Sequence, residues 1–328
     1  MAERYLSGIQ ASGVPHLGNY LGALKYWVEA QTSSIEVFSM VADLHAITTP
    51  PPPEVLLSNR NATMSALLAI GLDPSKSTLF FQSQIRAHTE IAWLIGSQAY
   101  YGELQRMRQF QTKSSETDGS VTLDLFAYPV LQAADILAYD ATGVPVGNDQ
   151  LQHIELTRNI ASRINQKYGD VLVVPNAITP PEGARIMDLQ KPNKKMSKSN
   201  SVEAGIIFLT DSNDEIQKKF KRAVTDSKNL IVYDDDQPGV KNLIEIASVT
   251  SGKNTNEVVS ELEGKGYGQL KSYAADAVIN LIEPIRERIA RYMSDPNEVS
   301  ELVADSKLRA TEISENTLNR LKSNFGFN

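Results

Sequence analysis

The fold is decided by a strand, a turn and a helix start that follow one another in Arg4-Tyr5-Leu6-Ser7-Gly8-Ile9-Gln10-Ala11-Ser12-Gly13-Val14-Pro15-His16-Leu17-Gly18-Asn19-Tyr20. The run Arg4–Gln10 predicts a short strand. Apolar residues recur at helical spacing from Leu17 to Val28 and predict a helix over residues 15–31. Pro15 suits the first turn of that helix. A strand that passes directly into a helix is the repeating unit of a parallel sheet.

The same alternation continues downstream and predicts an α/β fold with a doubly wound, Rossmann-like parallel sheet that binds a nucleotide. Further strands are expected at 35–42, 79–82, 144–147 and 171–174, and helices at 53–70, 89–110, 123–138 and 149–168. Beyond residue 205 the pattern is mostly helical, and Ser212 with Glu215 forms a capping box. We therefore expect a catalytic domain at 1–204 and an all-α domain at 205–328.

Composition excludes several classes of site. The chain has 328 residues, no cysteine and four histidines, so thiolate chemistry is excluded and no metal site is predicted. The net charge of −7 argues against a protein that coats DNA. No signal pattern is visible, and no apolar run approaches the roughly 20 residues of a membrane helix. We expect a soluble, cytoplasmic protein that does not contact a membrane.

The turn after the first strand has the chemistry of a phosphate site. Ligands of an open parallel sheet bind outside the carboxyl ends of its strands, and a helix N-terminus favours phosphate. His16 and Asn19 lie on one face of the first helical turn and can donate to the same phosphate. Gly18 allows close approach of backbone and ligand. The alternative is a tight strand–helix turn with a surface histidine.

A second segment is Lys194-Lys195-Met196-Ser197-Lys198-Ser199, between turn-forming residues that predict a mobile loop. Lys195 and Lys198 can approach a triphosphate as point charges, while the serines add hydroxyls. Such a loop can close over pyrophosphate as charge develops in a transition state. The alternative is a solvated basic linker.

The two segments resemble the His-Ile-Gly-His and Lys-Met-Ser-Lys-Ser signatures of class I aminoacyl-tRNA synthetases. Over essentially the whole chain the sequence is similar to the bacterial tryptophanyl-tRNA synthetases. The other blocks that carry this resemblance are Gly8–Gln10, Asp43–Thr48, Tyr128–Leu137, Val144–Gln150 and Gly183–Met187.

The resemblance implies a set of site residues. The ATP-binding residues would be Gln10, Ala11, Ser12, Gly18, Asn19, Gly147, Asn148, Asp149, Ile186, Lys195, Met196, Ser197, Lys198 and Ser199. Charge stabilisation would come from His16, Asn19, Lys113, Lys195 and Lys198. The tryptophan pocket would contain Gly8, His45, Tyr128, Asp135, Val144, Val146 and Gln150, with Asp135 accepting the indole N–H.

The resemblance also implies the reaction and its partners. Tryptophan would attack the α-phosphate of ATP, giving tryptophanyl-adenylate and pyrophosphate, and the aminoacyl group would pass to the 3′ end of tRNA(Trp). Mg²⁺ would travel mainly on the phosphates. A homodimer joined through the α/β domains is expected. The helical domain would read the anticodon, and a basic cluster at Lys218, Lys219, Lys221, Arg222 and Lys228 would contact tRNA phosphates.

Two other classes of protein remain compatible with the sequence. Tyrosyl-tRNA synthetases also carry a glutamine three residues before an aspartate in this helix, so Gln132 and Asp135 alone do not exclude tyrosine. A carboxylate such as Asp135 can also simply face solvent. The other alternative is a synthetase-like protein that binds but does not catalyse, against which the intact lysine loop and His16 argue.

Overall fold

A five-stranded parallel sheet forms the centre of the first half. The computed structural model describes residues 3–31, 34–115, 120–179, 185–198 and 201–327. Within them the strand order is β3-β2-β1-β4-β5, and every neighbouring pair is parallel. The strands are β1 (Arg4–Gln10), β2 (Glu36–Ala42), β3 (Thr78–Phe81), β4 (Gly143–Pro145) and β5 (Asn176–Ile178). The order reverses at β1, so a crevice opens between the carboxyl ends of β1 and β4.

Eight helices connect the strands in the described part of this half. After β1 come α1 (Leu17–Asn19), a π-helical stretch (Tyr20–Leu24) and α2 (Lys25–Ala30), and α3 (Pro53–Ala69) links β2 to β3. The link from β3 to β4 contains α4 (Ala87–Gly96), α5 (Tyr101–Gln105), α6 (Arg108–Ser115) and α7 (Leu123–Leu137). Finally α8 (Leu151–Tyr168) leads to β5.

The second half is helical. It contains α9 (Asn213–Lys221), α10 (Pro238–Ser251), α11 (Thr255–Glu261), α12 (Tyr267–Ser294), α13 (Pro296–Leu302) and α14 (Ala304–Phe325). The long helix α12 packs against α3, α9 and α10. The capping box predicted at Ser212 is present, because its side chain and that of Glu215 each bind the other residue's backbone N–H.

The predicted fold class is confirmed, with two local differences. Residues 89–110 do not form one helix; α4 ends at Gly96, and short α5 and α6 follow. Residues 171–174 are not a strand, since the last strand is Asn176–Ile178. The backbone of Val171 and Leu172 instead donates to the Asn165 side chain at 3.0 and 2.8 Å, which fastens this segment to α8.

The last helix returns to the sheet. α14 packs against β3 and α4, and its Ala310, Leu318 and Leu321 are buried in the cluster of apolar residues around β2, α7 and α8. Arg320 bonds to the Asp140 carboxylate and to the Val171 carbonyl oxygen at 2.5 and 2.6 Å. The domain boundary near residue 204 stays a prediction, because both α12, which packs against α3, and α14 join the helical half to the other half.

Candidate active site

The turn after β1 is held by a reciprocal pair. The backbone N–H of Asn19 donates to His16 Nδ1, and the backbone N–H of His16 donates to Asn19 Oδ1, both at 3.2 Å. His16 is therefore the N-cap of α1. The segment of residues 206–209 lies beside it, with an isolated antiparallel bridge between His16 and Phe208, and Leu17 donates to the Ile207 carbonyl oxygen at 2.8 Å. These contacts fix the helix N-terminus at the crevice.

His16 is a neutral hydrogen-bond donor at physiological pH. Burial lowers the pKa of His16 to about 4, and the charges of Lys198 and Lys195 act in the same direction. A neutral imidazole whose Nδ1 accepts a hydrogen bond carries its proton on Nε2. The His16 Nε2–H can therefore donate to an anion at the helix N-terminus.

The lysine-rich loop is closed onto this turn. Lys198 Nζ donates to the carbonyl oxygen of Ser12 at 2.8 Å. Met196 is buried, and its backbone N–H donates to the Ile186 carbonyl oxygen at 3.1 Å. A methyl group added at Gly18 would make an ordinary contact of 3.5 Å with Met196 Cβ but would lie 3.1 Å from the His16 ring, which would have to shift by a few tenths of an ångström. Burial also lowers the pKa of Lys198 to about 8.

Most predicted ATP residues are described. Ala11, Gly18, Ile186 and Met196 are buried, whereas Gln10, Ser12, Gly147, Asn148, Asp149 and Lys195 are exposed and Asn19, Ser197 and Lys198 half-buried. The structure brings Gln10 and Gly147 to one cavity. Asn148 and Asp149 do not line it. Ser199 and the side chain of Lys113 lie outside the described residues.

A cavity of about 370 Å³ lies in the crevice between β1 and β4. Its walls are mostly apolar and include Leu6, Met40, Ile136 and Trp27. All the residues predicted for the amino-acid pocket line it, namely Gly8, His45, Tyr128, Asp135, Val144, Val146 and Gln150. Gln132, which left tyrosine open in the sequence, also lines the cavity and donates to the Gln150 side chain at 3.2 Å.

Asp135 is a buried carboxylate surrounded by donors. His45 Nε2 lies 2.7 Å from Oδ2, His88 Nδ1 lies 2.6 Å from Oδ1, and Gln82 Nε2 donates to both oxygens at 2.8 and 2.9 Å. Burial by itself would raise the pKa of Asp135. The hydrogen bonds and electrostatic attraction of His45 and His88 outweigh that effect and hold its pKa well below the usual range. Asp135 is therefore an ionised acceptor at the cavity wall.

Sequence reasoning missed two partners of Asp135, which are Gln82 and His88. A signal for Gln82 exists, since it follows β3 at the carboxyl edge of the sheet, where ligand sites lie. Its side-chain oxygen also accepts the backbone N–H of Leu44 at 3.0 Å, which joins the ends of β2 and β3. No spacing indicates His88, because α4 and α7 are brought together only by tertiary packing.

Comparison with known proteins identifies the family. The model of the class I tRNA synthetases for tryptophan and tyrosine matches residues 2–283. This chain belongs to that family. A tryptophan–tRNA ligase of Clostridium tetani is 45% identical, over 98% of this chain and 95% of the relative.

Solved structures agree. Tryptophanyl-tRNA synthetase from Mycoplasma pneumoniae has 38% identity and a TM-score of 0.87, covering 99% of this chain and 98% of that one. The synthetase from Campylobacter jejuni, solved with ADP and tryptophan, has 32% identity and a TM-score of 0.87, covering 98% and 99%. The predicted class of enzyme, an ATP-dependent aminoacyl-tRNA ligase of the tryptophan group, is confirmed. In the part of the chain that is described, no helix is both long and apolar enough to cross a membrane.

Proposed function

We propose that this chain activates L-tryptophan with ATP and transfers it to tRNA(Trp). The observation that carries the proposal is Asp135, an ionised carboxylate at the wall of an otherwise mostly apolar cavity of about 370 Å³. Indole is a flat apolar body with a single hydrogen-bond donor. One fixed acceptor among apolar walls is the complement of that ligand.

The surroundings of Asp135 favour tryptophan over tyrosine. A phenol hydroxyl is both a donor and an acceptor, so a tyrosine pocket offers groups of both kinds. Gln132, the residue that left tyrosine open, binds Gln150 rather than Asp135. On indole binding, the His45 donor at Oδ2 gives way or shares that oxygen, while Gln82 and His88 keep the carboxylate in place. An amino acid without an N–H at this position would leave Asp135 with one donor fewer.

ATP would be held between the turn after β1 and the lysine loop. The carboxylate of tryptophan is already a nucleophile, so the protein supplies position and charge stabilisation rather than a base. His16 Nε2–H, Asn19, Lys195 and Lys198 would stabilise negative charge on the phosphates, with Lys113 and Ser199 carried over from the resemblance alone. Removal of one such donor costs about 10²–10³ in kcat in comparable sites.

The residues at the turn after β1 fit Mg²⁺ only if the ion is bound through the nucleotide. The side chains at the phosphate turn are histidine, asparagine, serine and lysine, and the described residues contain no group of three or more His, Asp or Glu side chains that could hold a metal ion. Triphosphate oxygens would therefore be its ligands, as Mg²⁺ commonly retains substrate phosphates and water. When bound, the ion would neutralise charge on the departing pyrophosphate.

The tRNA would contact the exposed part of the basic cluster on α9. Lys218, Lys221 and Arg222 are exposed, whereas Lys219 is half-buried and pairs with Asp211 at 2.6 Å. Charge reversal at Lys218 and Lys221 should raise the KM for tRNA and weaken its salt dependence. Lys253→Glu is a control, because Lys253 belongs to a separate pair with Glu261 on α11. An unchanged KM in the double variant at physiological salt would reject this contact.

A homodimer in the cytoplasm is the remaining part of the proposal. Trp93, Tyr101 and Leu123 are 85%, 67% and 80% exposed, and they lie on α4, α5 and α7, of which α7 packs against both of the others. Large apolar side chains gathered on a surface mark an interface. The family resemblance supports a dimer interface on this domain.

The test of the proposed function is ATP–pyrophosphate exchange with tryptophan, with tyrosine and without amino acid. We expect exchange with tryptophan alone. Exchange with tyrosine would overturn the assignment of Asp135 as an indole acceptor while leaving the ATP residues in place. No exchange from folded protein would indicate a synthetase-like binding protein.

A further inference from the structure

A buried hydrogen-bond chain leads from Asp135 away from the cavity. His88 binds the Asp135 carboxylate through Nδ1 at 2.6 Å, and its Nε2 lies 2.7 Å from the hydroxyl of Tyr139. His88 and Tyr139 are fully buried, and neither lines the cavity. They therefore cannot touch an amino acid bound there.

The chain fixes the proton on His88. A carboxylate only accepts hydrogen bonds, so His88 Nδ1 must carry a proton to bind Asp135. In the neutral form of the ring Nε2 is then an acceptor, and a hydrogen bond donated by the Tyr139 hydroxyl favours that tautomer. Without this hydroxyl the proton can move to Nε2, and Nδ1 would then present a lone pair to the carboxylate.

Aromatic packing holds the Tyr139 hydroxyl beside His88. Its ring centroid lies 5.1 Å from that of Phe38, 5.3 Å from Phe80 and 5.5 Å from His88. Burial raises the pKa of Tyr139 well above its ordinary value, and the charge of Asp135 raises it further, whereas a hydrogen bond with the side chain of Ser314 on α14 opposes both. The phenol thus remains protonated and able to donate.

His88 differs from the other donors to Asp135 in its accessibility. His45 lines the cavity and is partly exposed, so an incoming ligand can displace it. The Gln82 side chain donates to both oxygens of the carboxylate and also accepts the backbone N–H of Leu44. Among these three, only His88 both bonds to a single oxygen of Asp135 without lining the cavity and is itself held by a further side chain, that of Tyr139.

We propose that His88, held in one tautomer by Tyr139, is a positioning residue that aims Asp135 at the indole N–H and so sets selectivity for the ring nitrogen of tryptophan. This inference rests on the acceptor role proposed above for Asp135. The positioning role predicts that loss of the Tyr139 hydroxyl weakens recognition of the indole N–H, although Tyr139 does not contact the ligand.

The readout is a ratio of two substrates in ATP–pyrophosphate exchange. One is tryptophan, and the other is 3-(benzothiophen-3-yl)alanine, whose sulfur replaces the indole N–H at nearly the same shape. A merely structural defect lowers kcat/KM for both. We expect Tyr139→Phe to lower the tryptophan-to-analogue ratio about threefold to tenfold, the range of one hydrogen bond. The change should lie in the KM for tryptophan, with kcat retained.

Two variants of His88 separate its two contacts. The amide nitrogen of asparagine can take the position of Nδ1, and that of glutamine the position of Nε2. We therefore expect His88→Asn to retain more of the ratio than His88→Gln. Tyr273→Phe is the matched control, because its hydroxyl also has two partners, Lys253 and Glu261, but lies in the helical half. Thermal melting of each variant reports on folding, and long-range ¹H–¹⁵N spectra report on the tautomer of His88.

Asp135→Asn distinguishes failure of this inference from failure of the proposed acceptor. A reduced ratio in Asp135→Asn with wild-type ratios in Tyr139→Phe and His88→Gln would overturn the positioning role and leave the acceptor intact. An unchanged ratio in Asp135→Asn would overturn the acceptor role and this inference with it. A ratio that falls in Tyr139→Phe and not in Tyr273→Phe, together with loss of the Nδ1–H signal, would support the proposal.

Discussion

Lys198 connects the pH of the solution to ATP binding at the scale of a single residue. Burial lowers its pKa to about 8, so the free enzyme begins to lose this charge just above neutral pH. A bound triphosphate favours the protonated form. We expect kcat/KM for ATP to fall as pH rises through about 8, and ATP binding to take up protons there.

The measurement is the pH profile of ATP–pyrophosphate exchange at limiting ATP, with calorimetry in two buffers of different ionisation enthalpy. Lys198→Arg is the control, because a guanidinium stays charged throughout this range. In this variant the fall of kcat/KM for ATP at high pH should move to a pH above 8. A fall that stays at the same pH in this variant would assign the titration to another group.

His16 has two roles that separate by substitution. As N-cap it accepts the backbone N–H of Asn19, and as a neutral imidazole it offers Nε2–H to phosphate. We expect His16→Ala to lower kcat about 10²–10³-fold and also to destabilise the protein by about 1 kcal/mol. His16→Asn should lower kcat similarly and keep the stability, since asparagine is a good N-cap. Exchange kinetics and urea denaturation check both; wild-type kcat in His16→Asn would exclude a catalytic role.

At the scale of elements, the stem of the lysine loop depends on Asp188. Its Oδ1 accepts the backbone N–H of Gln190 at 2.6 Å and of Lys191 at 2.9 Å. A methyl group at Gly205 would lie 2.2 Å from the same oxygen. Gly205→Ala must therefore displace the carboxylate and release the turn that leads into the loop.

We expect Gly205→Ala to lower kcat for adenylate formation while leaving the KM for tryptophan within about twofold, because the loop contacts the phosphate turn rather than the cavity. Exchange assays with each substrate varied in turn provide the test. Gly268→Ala is the matched control: it lies in α12, a methyl group there has nothing within 4 Å, and alanine favours a helix. An equal loss of kcat in both variants would contradict the role of the stem.

How far sequence predicts this molecule depends on whether a feature is local. The strand–turn–helix at Arg4–Tyr20 follows from apolar spacing and turn chemistry, and the lysine loop from its composition and family signature. The break of residues 89–110 into three helices was not predicted, although Gly96 ends α4. The His88 partner of Asp135 could not be predicted at all, because α4 and α7 meet only through packing.

At the scale of the whole molecule, α14 ties the end of the chain to the sheet. Leu321 is fully buried among the residues around β2, α7 and α8, whereas Leu308 on the same helix is 67% exposed. We expect Leu321→Ala to destabilise the protein by about 2–5 kcal/mol and Leu308→Ala by less than about 0.5 kcal/mol. Denaturation followed by tryptophan fluorescence measures the difference. Equal effects would show that α14 does not share the core of the catalytic half. An amphipathic pattern predicts such a helix but not the surface on which it packs, so the return of α14 to the sheet could not be predicted.

Assembly is the last property at this scale. Trp93 and Leu123 are large, apolar and mostly exposed on α4 and α7. Their burial against a second copy would remove apolar surface from water, which stabilises the dimer by about 25 cal/mol for each Å² buried. Because a two-fold interface repeats each contact, one substitution places two charges in it. We therefore expect Trp93→Glu with Leu123→Glu to convert a dimer into a monomer in light scattering at micromolar concentration. Leu230→Glu, at an exposed leucine of the helical half, should leave the dimer intact. A wild-type protein of monomeric mass would reject the dimer, and a double variant that stays dimeric would move the interface to another face.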